Sequence, residues 1–183
     1  MTKTNAGLDE KAIEALQAAR EKGYTHFIGY SGDSHAARYA VECDAFDSLQ
    51  TSINIADQEA IDLTLPLARE KQMGVIAKRP VANVAWKSGQ KPGNSYHQPY
   101  WERLRTLQYP FLQSASLEKS VGIALRFTLS LAGVSTAIVG TKSPGRWQEN
   151  ARLLEAGSLG EKEMQEIRDR WEEVAPRTWI GQT

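Results

Sequence analysis

Residues 138–150, Ile-Val-Gly-Thr-Lys-Ser-Pro-Gly-Arg-Trp-Gln-Glu-Asn, join the end of an apolar run to a polar loop and then to the start of a helical pattern. The polar side chains at this junction are Thr141, Lys142, Ser143 and Arg146. Backbone amides at the start of a helix carry partial positive charge and bind anions. The stretch therefore predicts a strand, a loop and a helix that hold a phosphate monoester. The alternative is a simple turn with solvated surface charges.

The same order of a short apolar strand and a following helix recurs upstream. The predicted strands are Thr25–Tyr30, Phe46–Ile55, Met73–Ala77 and Ser135–Val139. The predicted helices are Leu8–Lys22, His35–Val41, Gln58–Lys71, Tyr100–Leu107, Ser116–Ala132 and Gly145–Glu155, with a last helix preceded by a capping-box pair, Ser158 and Glu161. Strands that alternate with helices form parallel sheets buried on both faces. We therefore predict an α/β fold.

Four parallel strands of this kind correspond to half of a (β/α)8 TIM-type barrel, since a whole barrel needs about 250 residues and this chain has 183. We expect one half-barrel domain over residues 1–183, with residues 156–183 as its C-terminal helix and tail. An open half-barrel leaves two strand edges and one face uncovered. Either a second copy closes the barrel as a homodimer, or helices and the segment Val81–Gln113 cap the edges of a monomer.

Composition excludes several classes of function. The 22 basic and 22 acidic side chains give a formal net charge of zero, which argues against a general nucleic-acid binder. Cys43 is the only cysteine, so neither an internal disulfide nor a cysteine zinc site is expected. The polar N-terminus and the lack of a long apolar run predict no leader and no membrane span. We expect a cytoplasmic protein.

Polar residues lie towards the end of each predicted strand or just after it, where barrels of this type place their catalytic and binding side chains. They are Ser31 and Asp33, then Gln50, Ser52 and Asn54, then Lys78 and Arg79, and finally Thr141, Lys142, Ser143 and Arg146. Strand side chains alternate in direction, so Ser31 faces the barrel interior only if Tyr30 faces the helices. The aromatic residues Trp86, Tyr96, Tyr100 and Trp101 either line a substrate pocket or, as we favour, cover the open face.

Four strand-end runs together resemble the aldo-keto reductase family. The runs are Gly-Tyr-Ser-Gly-Asp (29–33), Leu-Gln-Thr-Ser-Ile-Asn-Ile-Ala-Asp (49–57), Gly-Val-Ile-Ala-Lys-Arg-Pro-Val-Ala-Asn (74–83) and residues 138–150. They are similar to the fifth to eighth strand ends of that family's barrel, which is its C-terminal half. The resemblance implies a (β/α)8 barrel that reduces carbonyls with NADPH. No G-x-G-x-x-G fingerprint occurs, as expected for that family.

The resemblance also implies roles for individual residues toward NADP(H), which we expect to bind weakly. Ser31 and Gln50 resemble the residues that hold the nicotinamide carboxamide. Lys78 stands where many members have a Tyr that stacks under the nicotinamide. Thr141, Lys142, Ser143 and Arg146 resemble the loop that holds the adenosine 2′-phosphate, and Glu149 and Asn150 resemble the pair at the adenine end.

The family's catalytic Tyr, Lys, Asp and His lie on the first four strand ends, so the resemblance places no catalytic residue in this chain. Three functions stay open. The chain is an oxidoreductase-like half-barrel that is inactive alone, or one half of a split NADPH-dependent reductase whose N-terminal half is a separate chain, or a non-catalytic interaction module. The three histidines are dispersed along the sequence and show none of the spacings typical of metal ligands.

Overall fold

Four parallel strands form one sheet in the order in which they occur along the chain. The computed structural model describes residues 10–182. The strands are β1 (Gly29–Ser31), β2 (Ser48–Ser52), β3 (Gly74–Lys78) and β4 (Thr136–Ile138). The register aligns Ser31 with Gln50, then Ile76, then Thr136 across the sheet. The predicted α/β fold with four parallel strands is confirmed. It is half of an eight-stranded barrel.

Nine α-helices occur in the described part of the chain. They are α1 (Glu10–Glu21), α2 (Ser34–Glu42), α3 (Glu59–Leu63), α4 (Leu65–Glu70), α5 (Gln98–Leu107), α6 (Pro110–Ser114), α7 (Leu117–Ser130), α8 (Arg146–Leu154) and α9 (Glu161–Val174). Two 3₁₀ helices, Ala82–Val84 and Ser95–His97, interrupt the segment between β3 and α5. The predicted start of the first helix at Leu8 lies outside the described residues.

Several predicted boundaries are wrong for identifiable reasons. The predicted helix 58–71 is two helices, because Pro66 has no N–H to continue the helical hydrogen bonds through Thr64. The short helix α6 was missed, although Pro110 occupies a favoured first-turn position. The capping box is also wrong. Helix α9 begins at Glu161 with Gly160 as its N-cap, and no side chain caps it.

The core lies between the outer face of the sheet and the helices. Leu49 and Val75 are fully buried on that face, as the strand alternation requires. Helix α7 packs against α8 at Gly122, where an added Cβ would lie 3.3 Å from Leu153 Cδ2. This close approach fixes the last turn of α8 against α7. The position of the predicted phosphate loop therefore depends on that helix pair.

The two outer strands of the sheet are exposed at their inward positions, whereas the inward positions of β2 and β3 are half-buried or buried. On β1, Gly29 and Ser31 are exposed, and on β4, Thr136 and Ile138 are exposed. Large exposed apolar side chains flank both edges. They are Tyr24 and Phe27 before β1, and Ile138 and Trp147 on the β4 side. The two open edges are therefore rimmed by apolar surface.

The expectation that aromatic residues cover the inner face of the sheet is wrong for Trp86 and Trp101. Trp86 donates a hydrogen bond from Nε1 to Ser120 Oγ at 3.0 Å on helix α7. Trp101 lies on α5 under the guanidinium of Arg105. Both pack on helices rather than on the inner face of the sheet. None of the helices within residues 10–182 is long and apolar enough to cross a membrane.

Candidate functional site

A cavity of about 1000 Å³ opens at the carboxyl ends of β3 and β4. Its walls come from the loop after β3, the 3₁₀ helix at residues 95–97, the start of α7 and the loop that leads into α8. Predicted site residues on its wall are Gln50, Lys78, Thr141, Arg146, Glu149 and Asn150. Ligand pockets usually measure about 300–1000 Å³, so this cavity is large enough for an extended ligand.

The wall beside α8 is polar and exposed. Ser143 donates from its backbone N–H to Thr141 Oγ1 at 3.0 Å, which shapes the loop. Arg146, at the first position of α8, forms an ion pair with Glu149 at 2.7 Å. Lys142 and Ser143 are exposed next to the cavity but do not line it. The loop therefore presents one cation, Arg146, to the cavity at a helix start, where an anion is favoured.

The opposite end of the cavity lies on β2 and β3. Ser31 Oγ donates to Gln50 Oε1 at 2.8 Å, so the structure brings together these two predicted residues. Ser31 is beside the cavity and does not line it. Tyr30 packs against Phe46 with ring centroids 5.7 Å apart. Tyr30 therefore faces away from Ser31, as the alternation of side chains along a strand predicts.

A buried carboxylate holds Lys78 in place at this end. Lys78 Nζ lies 2.8 Å from Asp33 Oδ2, and the Asp33 side chain is 1% exposed. The other oxygen, Oδ1, accepts from Thr51 Oγ1 at 3.0 Å and from the Ser52 backbone N–H at 2.6 Å. Asp33 is the N-cap residue of α2, yet its side chain forms no cap hydrogen bond. Its carboxylate instead links β2 to the lysine on the cavity wall.

The loop after β3 has an unusual backbone. Arg79, Ala82, Asn83 and Val84 all have positive φ, at 57°, 44°, 55° and 50°. A β-branched residue such as Val84 rarely adopts this conformation, and such strain concentrates at functional sites. Asn83 lines the cavity, but within residues 10–182 its amide nitrogen Nδ2 is closed to solvent and has no hydrogen-bond partner. Such an unpaired buried donor is rare in folded proteins, and here it lies in the loop with positive φ angles rather than facing the cavity.

Two cavity residues are absent from the predicted cofactor-binding set, although the pocket alternative for the aromatic residues included Tyr96. Tyr96 and His97 lie on the cavity wall with rings in edge contact, 5.6 Å apart. Arg79 donates from Nε to the Tyr96 hydroxyl at 2.7 Å, and its guanidinium lies over the Tyr96 ring. The aromatic composition of residues 86–101 was visible in the sequence. The fold of the long connection that brings Tyr96 to Arg79 was not.

A second polar cluster lies deeper at the same end of the sheet, around Asp57. This carboxylate is fully buried and accepts from the Tyr100 hydroxyl at 3.2 Å. Arg103 Nη1 lies 3.8 Å from it. Burial raises the pKa of Asp57 to about 7, although the Arg103 charge opposes that rise. Burial also raises the pKa of the Tyr100 phenol. Within residues 10–182, no group of carboxylates, histidines and cysteines could hold a metal ion.

The fold agrees with the comparisons with known proteins. The model of the aldo/keto reductase family matches residues 3–172, and the chain belongs to this family. L-Galactose dehydrogenase of Arabidopsis thaliana is 27% identical over 188 residues, which cover 92% of this chain and 55% of that protein. The chain thus spans about half the length of this curated relative.

Solved structures of aldo-keto reductases share this fold. The holo form of aldo-keto reductase AKR11C1 from Bacillus halodurans superposes with a TM-score of 0.72 at 20% identity, covering 92% of this chain and 58% of that chain. Its apo form gives a TM-score of 0.72 at 21% identity, with 93% and 60% covered. At these identities the likeness concerns the fold.

Proposed function

We propose that the chain is the dinucleotide-binding half of an NADP(H)-dependent carbonyl oxidoreductase. The observation that carries this proposal is the cavity itself. It extends from Gln50 and Lys78 on the sheet to Arg146 at the start of α8. Family membership supplies the reaction class. A nicotinamide dinucleotide supplies a transferable hydride when it is bound.

The residues present fit such a cofactor. Arg146 and the Thr141–Ser143 turn would hold the adenosine 2′-phosphate, with Glu149 and Asn150 beside the adenine. Gln50, supported by Ser31, would orient the carboxamide. Lys78, which Asp33 anchors, would contribute a cation near the nicotinamide end. Each of these roles belongs to a polar group that already lies at or beside the cavity.

The exposed pair between Arg146 and Glu149 does not prevent phosphate binding. Both side chains are about half exposed, and ion pairs of this kind contribute only about 0–1 kcal/mol. A phosphate carries more charge than a carboxylate and accepts bidentate hydrogen bonds from arginine. Arg146 can therefore exchange Glu149 for a phosphate at small cost.

Substitution of Arg146 tests the proposal. In Arg146→Ala, we expect the affinity for NADP⁺ to fall about tenfold more than the affinity for NAD⁺, because a lost charge-assisted hydrogen bond costs roughly 1.5–3 kcal/mol. Isothermal titration with both dinucleotides measures the two losses. Arg152→Ala is the matched control, since Arg152 is an exposed cation on α8 outside the cavity lining. Equal losses for both dinucleotides, or no binding by the unsubstituted chain, would reject the proposal.

We further propose that this chain reduces no carbonyl by itself. The resemblance assigns the proton-donating Tyr and its Lys, Asp and His partners to the strand ends of the other half-barrel. Purified protein should therefore bind NADPH without consuming it in the presence of aldehydes. Steady oxidation of NADPH by homogeneous protein, followed by absorbance, would contradict this proposal. Complete lack of dinucleotide binding would instead favour a non-catalytic interaction module.

A second set of four strands is proposed to complete the barrel. The inner face carries the row Gly29, Ser48 and Gly74 across β1, β2 and β3, whereas barrel interiors are filled mainly by bulky branched side chains. In a barrel made of two copies of this chain, the glycine and serine residues of one copy would face the same small residues of the other copy across the interior. A separate N-terminal half with larger inward side chains fills that space better. Sedimentation velocity distinguishes the two, because a stable dimer of this chain alone would support closure by a second copy.

A further inference from the structure

The C-terminal residues Ile180–Gln182 cross the carboxyl end of β2 and are held by their main chain. Gly181 N–H donates to Glu59 Oε2 at 2.7 Å, and Gln182 N–H donates to Asp57 Oδ2 at 3.1 Å. In the other direction, the Ile180 carbonyl accepts from Arg103 Nη2 at 2.7 Å. Successive amides and carbonyls of the tail are therefore bound by side chains of the body of the protein.

The last tail carbonyl receives two further donors. Ser52 Oγ donates to the Gln182 carbonyl at 3.2 Å, and Arg79 Nη1 donates to the same oxygen. We call the side chains that bind the tail main chain the tail groove; they are Ser52, Glu59, Asp57, Arg79 and Arg103. Ser52, Asp57 and Arg103 are buried. Recognition of main-chain groups in this way resembles the binding of an extended peptide, in which main-chain hydrogen bonds supply affinity.

The tail groove also restricts which residue can occupy position 181. A Cβ at Gly181 would lie 2.4 Å from Asp33 Cβ and 2.8 Å from its carboxyl carbon. Only glycine therefore fits at this position without moving Asp33. Immediately before the tail, Trp179 contacts the Trp171 ring at 5.5 Å and lies under the Arg103 guanidinium at 5.3 Å. An aromatic anchor followed by a glycine defines the peptide that the groove accepts.

The tail groove shares Arg79 with the dinucleotide cavity. One Arg79 nitrogen, Nη1, binds the tail carbonyl, while Nε donates to the Tyr96 hydroxyl on the cavity wall. The tail also covers Asp33 at Gly181, and Asp33 anchors Lys78 on the same cavity wall. An occupied groove therefore fixes both cations at the nicotinamide end of the cavity. An empty groove leaves Arg79 without one of its acceptors.

We infer that residues 180–182 are the resident ligand of a peptide-binding groove, and that occupancy of this groove strengthens dinucleotide binding through Arg79 and Lys78. The ligand class is an extended peptide with glycine at the position over Asp33. The first part of the inference rests only on the contacts of the tail. The second part rests on the proposed function.

Substitution of Gly181 in the full chain tests the first part. Gly181→Ala should expel the tail because of the clash with Asp33, and the amides of residues 181 and 182 should then exchange hydrogen faster. The emptied groove should bind a fluorescein-labelled peptide of residues 176–183, Pro-Arg-Thr-Trp-Ile-Gly-Gln-Thr, at least tenfold more tightly than the unsubstituted chain does. Ile180→Ala is the matched control, because the Ile180 side chain is half exposed and its main-chain bonds remain.

The peptide outcomes are decisive. A labelled peptide with alanine in place of its glycine should bind the Gly181→Ala chain about tenfold more weakly. Equal binding of the two peptides, or equal exchange rates at residues 181 and 182 in variant and control, overturns the groove. Circular dichroism confirms that the variant stays folded. If it does not, Glu59→Gln in the full chain, which weakens a single tail contact, gives the same exchange readout.

Dinucleotide titration tests the coupling. We expect Gly181→Ala to lower NADP⁺ affinity about tenfold, within the usual range of coupling between sites, and saturating unlabelled peptide to restore it. Unchanged affinity in a chain that binds the peptide overturns the coupling and leaves the groove. If even the unsubstituted chain binds no NADP⁺, the proposed function fails, while the peptide measurements still decide whether the groove exists.

Discussion

Two polar regions at the carboxyl ends of the strands differ in how their charges are satisfied. Around Asp57, charged and polar side chains are buried, and they bind one another or the tail main chain. The loop Thr141–Arg146 is exposed, and the ion pair of Arg146 is an exposed one to its own helix. The first region is an internal part of the folded structure. The second has free donor capacity facing a cavity.

The difference separates stability from binding. Buried charges without partners cost several kcal/mol, so residues near Asp57 are constrained by the fold itself. Exposed charges are solvated, so residues 141–146 can change with little effect on stability. Substitutions in the two regions should therefore change different properties of the protein. The first should mainly alter folding, and the second should mainly alter ligand affinity.

Substitution of Arg103 should have the largest effect on stability. Arg103→Met removes the cation 3.8 Å from the buried Asp57 carboxylate and leaves the Ala56 and Ile180 carbonyls without their Arg103 donor. Removal of one partner of a buried ion pair costs about 3–5 kcal/mol, measured as the free energy of unfolding in urea. Arg105→Met is the control, because Arg105 is exposed on the same helix and should lose under about 1 kcal/mol. Similar losses in the two variants would remove the contrast.

The pH dependence of stability should report Asp57. Its pKa of about 7 in the folded chain exceeds the unfolded value of about 3.9. Between these values the folded state holds the extra proton, so stability is complete below about pH 4 and falls as pH rises through 7. The loss amounts to at most about 4 kcal/mol. Urea unfolding between pH 4 and pH 8 should show a smaller decline in Asp57→Asn. Parallel curves for the two proteins would contradict the raised pKa.

The effect of Arg103→Met and the pH dependence of stability are linked, because both depend on the charge of Asp57. At low pH Asp57 in Arg103→Met can take up a proton and become neutral, so less charge remains unpaired. The destabilisation by Arg103→Met should therefore be larger at pH 8 than at pH 5. The same loss at both pH values would mean that Arg103 stabilises the protein mainly through the Ala56 and Ile180 carbonyls.

The sheet could be predicted from the sequence because local patterns determine it. Short apolar runs before Ser31, Gln50, Lys78 and Thr141 identify the four strands, and their separation by helices requires parallel pairing. Element ends were less accurate. Pro66 divides one predicted helix, and Pro110 starts another that was missed. Both errors follow from the two opposite uses of proline, which breaks a helix interior but suits a first turn.

In the candidate site, the residues that could be predicted from the sequence are those at the ends of strands. Gln50 and Lys78 reach the cavity because parallel strands place their ends together. Tyr96 and Asn83 reach it through a long connection with left-handed residues, and no periodic pattern encodes that path. The contacts of residues 180–182 with the body of the protein span 77 to 130 positions. Such long-range main-chain contacts leave no local signal in the sequence.

The smallest effect on stability is expected at Arg146. Its ion pair with Glu149 joins two half-exposed side chains three residues apart on α8, and pairs of this kind stabilise helices by about 0.2–0.5 kcal/mol. Thermal unfolding of Arg146→Ala should therefore differ from that of the unsubstituted chain by less than about 3 °C. The double variant Arg146→Ala/Glu149→Ala isolates the pair. A loss as large as that of Arg103→Met would show that the loop is a structural part of the fold, and it would remove the distinction between the two regions.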